Sequence, residues 1–190
     1  MALSSIALCS RALLKLGAQT IASFDEGTAE AEVAANLYPV VRDAILSSHP
    51  WNFATGQAVL PRLSAVPVAD FSYAYQLPAD FLRALSAGAG PFGRGLSYRI
   101  AERRLHANAE RVTLTYIFRP DEIAFPPFFD HALITRLAAE FCLPVTESTS
   151  RAELLARMAE NELRRARLID AQEETPPRIE DFSLIDVRDA

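Results

Sequence analysis

Hydrophobic residues recur at the helical interval of three to four positions in four stretches of the chain and lose that period between them. The pattern predicts helices over about 3–16, 28–48, 127–143 and 150–171. Gly17 is well placed to end the first helix, and Pro144 is placed to end the third. In the fourth helix, Ser150 and Glu153 have the spacing of a capping box at the N-terminus.

The fourth helical segment is predicted to be amphipathic. Its expected apolar face consists of Leu154, Leu155, Met158, Leu163 and Ile169. The opposite face carries Arg and Glu side chains, which is typical of a helix that packs on one side and meets solvent on the other.

From about 56 to 119 the helical period is replaced by Pro, Gly, Ser, Tyr and β-branched residues. The run FSYAYQL at 71–77 alternates like a strand. The run at 98–118 is expected to form strands around a turn near Asn108–Glu110. One strand face would then carry Val112, Leu114, Tyr116 and Phe118.

These elements predict an α+β fold. It is mainly a helical bundle of about four helices, with a β-rich insert and an extended C-terminal tail. We expect 1–175 to form a single domain and 176–190 to form the tail.

The overall charge narrows the class of protein. The net charge is −5 and the pI is about 5.3, which argues against a protein that coats DNA through a basic face. The chain has no stretch of eighteen apolar residues and no signal-peptide pattern at its N-terminus, so no membrane association is expected. Cys9 and Cys142 lie among apolar residues and are interpreted as buried thiols rather than a disulfide.

Candidate chemistry is sparse in the sequence. His49, His106 and His131 are not spaced with each other or with the cysteines as zinc ligands are. The glycine-rich run GAGPFGRG at 88–95 lacks the Lys-Ser/Thr pair of a phosphate-binding loop, and a mobile loop is the better interpretation. We predict no catalytic residue, no metal site and no cofactor, and therefore no enzymatic activity.

The run HPWNFA at 49–54 follows the second predicted helix and contains the only tryptophan. A large aromatic side chain just past a proline-terminated helix suits the corner where helices meet the β-rich insert. We interpret Trp51 and Phe53 as a structural clamp rather than as part of an active site.

Four ordered stretches resemble the head-to-tail adaptor family of tailed phages and gene transfer agents, which includes the podovirus tail tubular protein A. They are LYPVVRDAILSSHPWNFA at 37–54, YAYQLPADFLRAL at 73–85, VTLTYIFRPDEIAFPPFFDHALITRLAAEF at 112–141 and ARLIDAQE at 166–173. The positions that match the family are interpreted as fold-keeping residues: Trp51, Asn52, Phe53, Tyr75, Leu77, Pro78 and Asp80.

The resemblance implies a structural role without a cofactor. Proteins of this family form a twelve-membered ring below the portal protein, extend the DNA channel and dock the next tail component. The implied location is the head–tail junction of a virus-like particle assembled in the bacterial cytoplasm, with double-stranded DNA only as cargo of the channel. A head-completion or stopper ring protein and a nucleic-acid-binding module are the alternative functions.

Two arginine clusters are candidates for the contact between ring subunits. Arg103 and Arg104 lie in the β-rich insert, and Arg164 and Arg165 lie late in the fourth helix. In a ring, each subunit presents different patches to its two neighbours, and arginines facing acidic residues would help to set the register. A solvated helix face is an equally good account of the second cluster.

The C-terminal stretch after Pro177 is a candidate for portal binding. The fourteen residues from Pro177 to Ala190 can extend about 45 Å. The apolar side chains that would anchor in a groove or add a strand to a neighbour are Phe182, Leu184, Ile185 and Val187. The alternative is that this stretch folds back onto its own helices.

Overall fold

The structure, a computed structural model, describes residues 3–91 and 93–173. Along the chain, two α-helices precede a β-rich middle section and two follow it. The helices are α1 (Ser5–Leu16), α2 (Ala29–Ser48), α3 (Pro127–Thr146) and α4 (Thr149–Asp170). The strands are β1 (Thr55–Val59), β2 (Tyr73–Gln76), β3 (Phe81–Ala89), β4 (Tyr98–Ala101), β5 (Arg104–Ala107) and β6 (Val112–Phe118).

Helix α3 is the centre of the helical layer, because α1, α2 and α4 all pack against it. Its apolar residues are distributed around the helix rather than along one stripe. Phe129, Leu133, Leu137 and Phe141 are each fully buried. A helix that is hydrophobic on all sides needs neighbours on all sides, and the three other helices provide them.

The predicted helix ends are correct at the N-terminal side of the chain and wrong at the C-terminal side. Gly17 ends α1 in the left-handed conformation, with φ at 73°, as expected. Helix α3 continues through Pro144 to Thr146, because a proline in the last turn removes only one backbone donor. The N-cap of α4 is Ser148 and not Ser150; its hydroxyl accepts from the backbone N–H of Arg151 at 3.4 Å.

The predicted apolar face of α4 is only partly correct. Leu155 and Leu163 pack toward the helical core, as expected. The small residues Ala159 and Ala166 complete the inward face, which allows α4 to approach α3 closely. The other apolar residues of the predicted face point to solvent, namely Leu154, Met158 and Ile169.

The strands form two antiparallel three-stranded sheets. One sheet has the order β1-β6-β3 and the other has the order β2-β5-β4. A second hydrophobic cluster, separate from the helical core, lies between them. Its buried members come from both sheets and include Tyr75, Leu105, Val112, Leu114 and Tyr116.

Strand β6 belongs to both hydrophobic cores. Successive side chains of a strand point to opposite faces. Val112, Leu114 and Tyr116 therefore enter the cluster between the sheets, and Phe118 packs beside them, as predicted. Ile117 points the other way and is buried in the helical core. The β-rich insert is thus packed against the helices through β6 and through β3, whose Leu82 and Leu85 pack on the same core.

The chain turns near Asn108–Glu110 between two strands, as predicted, but the two strands belong to different sheets. Residues 108–111 connect β5 in one sheet to β6 in the other. The tight hairpin lies earlier, between β4 and β5, where Glu102 and Arg103 have φ of 51° and 58°. A Glu-Arg pair is uncommon in a turn with two positive φ angles, so this hairpin has no recognisable turn signal in the sequence.

The fold class predicted from the sequence is confirmed: four helices and a β-rich insert form an α+β protein. The predicted C-terminal tail, with Phe182, Leu184, Ile185 and Val187, lies outside the described residues.

Candidate functional site

Trp51 sits where α2 leaves the helical layer and the chain enters β1. Its indole ring is fully buried, and its Nε1–H donates to the backbone carbonyl of Ile45 at 3.1 Å. Buried indole groups need a hydrogen-bond acceptor of this kind. The carbonyl of Trp51 in turn accepts from the hydroxyl of Thr55 at 2.8 Å. The indole of Trp51 therefore fixes the end of α2, and its backbone carbonyl fixes the start of β1.

An aromatic cluster surrounds Trp51. The ring of Phe129 in α3 meets Trp51 edge-on at a centroid distance of 5.2 Å. Phe53 lies 4.9 Å from Phe129, and Phe125 lies 4.9 Å from Phe129 as well. Such edge-to-face pairs contribute about 0.5–1.5 kcal/mol each beyond their buried area. The cluster joins the HPWNFA stretch to the start of α3.

The C-terminal end of α4 binds the same stretch through Asp170, which is 1% exposed. The backbone N–H of Asn52 donates to Oδ1 of Asp170 at 3.0 Å, and Nδ2 of Asn52 donates to the backbone carbonyl of Asp170 at 2.7 Å. Nε2 of His49 lies 3.5 Å from Oδ2. Residues 118 positions apart are thereby held in one clamp, formed by His49, Trp51, Asn52 and Asp170.

The electrostatics of this clamp favour a neutral imidazole. Burial lowers the pKa of His49 below its usual value, while the carboxylate of Asp170 opposes that shift. Nη2 of Arg167 donates to the hydroxyl of Ser48 at 3.1 Å, one residue before His49. The side chains of this clamp are engaged in holding α2, β1 and α4 together.

A second polar link joins α2 to the segment after β6. Arg119 donates from Nε and Nη2 to the two carboxylate oxygens of Asp43 at 3.0 and 2.6 Å. Nearby, the hydroxyl of Tyr38 donates to Glu122 at 2.8 Å. Bidentate Arg–carboxylate pairs are stronger and more directional than single contacts. This link fixes the helical layer relative to the β-rich insert.

The remaining fold-keeping candidates lie in the β-rich insert. Tyr75 is fully buried, and its hydroxyl donates to the carbonyl of Ala109. The carbonyl of Pro78 accepts from the N–H of Phe81 at 3.2 Å. Asp80 accepts from the hydroxyl of Tyr116 at 3.3 Å and, through its own carbonyl, from the N–H of Arg119 at 2.9 Å. Leu77 is buried in the cluster between the sheets.

The two arginine clusters lie on different elements. Arg103 is exposed at the tip of the β4–β5 hairpin, and Arg104 is half-buried in β5, 3.9 Å from Glu102. Arg164 and Arg165 are exposed on α4 and pair within that helix, with Asn161 and with Glu162 respectively. The structure therefore does not bring the two clusters together within one chain.

Exposed apolar residues accompany the second arginine cluster. The outer face of α4, defined here as Leu154, Met158, Arg165, Leu168 and Ile169, follows the helical spacing of one side. The four apolar members are between 45% and 65% exposed. Apolar side chains grouped on one face around an arginine are typical of an interaction surface.

Groups that could take part in other chemistry are separated or occupied. Within residues 3–91 and 93–173, no group of three His, Cys, Asp or Glu side chains is placed to hold a metal ion. Cys9 and Cys142 are free and buried, and burial raises the pKa of the Cys9 thiol to about 12. Gly93, in the glycine-rich loop, lies so close to Gln57 and Thr115 that a Cβ atom there would be 2.7 and 2.8 Å from them.

Among the residues that the structure describes, no helix combines the length and the apolar character needed to cross a bilayer.

Comparison with known proteins adds no relative. A scan against models of protein families matches none of them, and a search of curated proteins finds no significant match.

Asp170, Asp43 and Arg119 are not among the candidate residues taken from the sequence. One signal for Asp170 was present: Ala159, Leu163, Ala166 and Asp170 recur at helical spacing, so a carboxylate lies on the inward face of α4. A charged group on a buried face needs a partner. The partner itself, Asn52, lies too far away in sequence to be identified from that pattern.

Proposed function

We propose that this protein is a head-to-tail adaptor, as the resemblance of its four sequence stretches implies. Twelve copies form a ring below the portal protein, extend the DNA channel and dock the next tail or stopper component. The ring belongs to the head–tail junction of a virus-like particle assembled in the bacterial cytoplasm. Double-stranded DNA passes through it as cargo.

The observation that supports this proposal best is the outer face of α4. Four exposed apolar residues on one helix face are typical of a surface that binds a partner rather than of a protein that functions as a monomer. In a closed ring this face meets a different patch on the next subunit. The exposed tip of the β4–β5 hairpin, with Arg103, supplies a second and dissimilar surface.

The stretches that carry the resemblance also cooperate in the fold. The first contributes Trp51 and Asn52, the third contributes Phe129, and the fourth contributes Asp170. All four residues meet in or beside one clamp. This arrangement supports the interpretation of the matching positions as fold-keeping rather than as contacts to a partner.

The proposal is tested by the solution mass of the purified protein, measured by light scattering alone and after mixing with the portal ring. We expect a large complex with the portal. The double variant Met158→Glu/Arg165→Glu, which alters only exposed side chains of α4, should lose that complex. The control Val68→Glu changes an exposed apolar residue of the β1–β2 loop and should keep it.

A truncation ending at Thr175 tests the predicted role of Phe182, Leu184, Ile185 and Val187 in portal binding. If the truncated protein fails to bind, the portal contact lies in the C-terminal stretch. If it binds, the adaptor role stands without that contact. Absence of any portal complex, together with duplex DNA binding that weakens steeply with salt, would replace the adaptor by a nucleic-acid-binding module.

A further inference from the structure

A groove runs between α2 and α4, with α3 as its floor. Both helices pack on α3. Two cavities of about 730 and 330 Å³ lie between them and share Leu37, Arg136 and Glu140 in their walls. The apolar side chains along the groove are Val33, Leu37, Val40, Leu143, Ala156 and Leu163.

The walls of the groove are mostly apolar, with the Arg136–Glu140 ion pair where the two cavities meet. Val40 and Leu143 are 65% and 51% exposed on its rim. At one end lie the carboxylates Glu32 and Glu153. At the other end lies Arg167, whose guanidinium would attract a carboxylate.

The charged end with Arg167 is also the end at which the chain leaves α4. The helix ends at Asp170, less than one turn beyond Arg167, and seventeen residues of the sequence follow Glu173. The described chain therefore ends at Glu173, close to the groove end that carries Arg167.

We propose that residues 178–190 of the same copy bind in this groove, running antiparallel to α4. The groove extends about 20 Å along α4 from Arg167 to Glu153. An extended chain covers that distance with about six or seven residues. The stretch 179–187 is long enough, and it contains the apolar residues Ile179, Phe182, Leu184, Ile185 and Val187.

The direction follows from the end of the groove at which the segment starts. The described chain ends at Glu173, just beyond Arg167, so the residues that follow enter the groove at that end and run toward Glu32 and Glu153. The segment carries charges of both signs along its length, so its charges do not select the direction. Apolar content, length and starting point fit this one segment.

This docking does not depend on ring formation and goes beyond the adaptor role. It would keep the apolar C-terminal residues out of water in the free protein. A portal protein that binds the same residues would have to displace them from the groove. Binding in the groove and binding to the portal are thus alternative positions of one segment.

The test places a nitroxide spin label on an Ala190→Cys variant of the full-length protein labelled with ¹⁵N. We expect loss of amide signals at the groove end with Leu143, Glu153 and Ala156, relative to the reduced label. Cys9 and Cys142 are buried, and protein without Ala190→Cys, treated with the same reagent, is the labelling control. The variant Val40→Glu should restore the signals, while Val68→Glu should not.

To decide whether the segment belongs to the same copy or to a neighbour, spin-labelled protein at natural isotope abundance is mixed with ¹⁵N protein that carries no spin label. Signal loss that occurs only when one chain carries both the spin label and ¹⁵N supports docking in the same copy. Signal loss in the mixture would overturn it in favour of a neighbour's segment. Signal loss distributed evenly over the surface, or none at the groove, would overturn the docking altogether. Neither result bears on portal binding, which is measured separately by light scattering.

Discussion

At the residue scale, polar side chains decide more of this structure than the hydrophobic pattern suggests. Asp170 and Asp130 are both buried carboxylates, but their surroundings differ. Asp170 accepts from the backbone of Asn52 and lies beside His49. Asp130, in the first turn of α3, has an Oδ1 atom that is buried without a hydrogen-bond partner among the described residues. The first carboxylate should stabilise the fold, and the second should weaken it.

The substitution Asp170→Ala is expected to destabilise the protein by about 2–4 kcal/mol, because it removes a buried acceptor and leaves the N–H of Asn52 without this partner. Urea unfolding followed by circular dichroism measures the change. Glu160→Ala, at an exposed position of the same helix, is the control and should change the free energy of unfolding by less than about 0.5 kcal/mol. Equal effects of the two substitutions would contradict the clamp.

The buried carboxyl group of Asp130 should make the free energy of unfolding depend on pH with the opposite sign to that of an ion-paired carboxylate. Burial raises its pKa from 3.8 to about 6, so the folded state holds the proton more tightly than the unfolded state does. Its contribution to stability is complete below pH 4 and is lost as the pH rises from about 4 to 6.

Above pH 6, Asp130→Asn should therefore be more stable than the native protein by about 1–2 kcal/mol, after allowance for solvent screening. The difference in the free energy of unfolding between Asp130→Asn and the native protein should shrink as the pH falls toward 4. Asp121→Asn, in an exposed position, is the matched control substitution. Thermal unfolding across this pH range is the measurement, and a constant difference for Asp130→Asn would refute the assignment.

At the scale of elements, the β4–β5 hairpin shows a conflict between sequence and conformation. Glu102 and Arg103 occupy positive φ angles, which long side chains adopt at a cost. Replacing the pair by Asn-Gly should stabilise the hairpin by about 1 kcal/mol, since that dipeptide prefers this turn.

Chemical denaturation of the Glu102→Asn/Arg103→Gly variant checks this expectation. The matched control moves the glycine one residue further along: Arg104→Gly lies inside β5, paired with Gln76, and should destabilise the sheet. An Asn-Gly variant that is less stable than the native protein would show that the native pair makes contacts that outweigh its backbone strain.

The same element explains the limit of prediction from the sequence. The four helices were predictable because their apolar residues keep a helical period over twelve or more positions. The hairpin was missed because neither of its turn residues is Gly, Asn or Asp. The start of α4 was misplaced because Ser148, Thr149 and Ser150 are all capable of capping, and only the conformation selects among them.

The clamp could be predicted only in part. Trp51 was identifiable as a corner residue from its position after Pro50. The next residue, Asn52, binds Asp170 across 118 positions of sequence, and no local pattern indicates a contact of that range. The hydrophobic pattern assigned Leu154 and Met158 to the inward face of α4, whereas both side chains are exposed on its outer face.

At the scale of the whole molecule, the two hydrophobic cores should unfold together, because β6 contributes to both. Leu105 is fully buried between the sheets, and Trp51 reports on the helical core. Leu105→Ala is expected to cost about 2–4 kcal/mol. Unfolding followed by Trp51 fluorescence and by circular dichroism should give the same decrease in the free energy of unfolding.

Leu8→Ala, in the helical core, serves as the matched substitution and should shift both signals in the same way. Two separate transitions in Leu105→Ala, with the fluorescence midpoint unchanged, would show that the β-rich insert unfolds independently of the helices.

The double role of β6 also limits how this chain can vary in evolution. One inserted residue in that strand would turn Ile117 toward the sheets and Leu114 toward the helices, exchanging the contents of the two cores at once. The β1–β2 connection over 61–72 has no such constraint, since most of its side chains are exposed. Related chains should therefore differ in length at that connection and keep β6 constant in length.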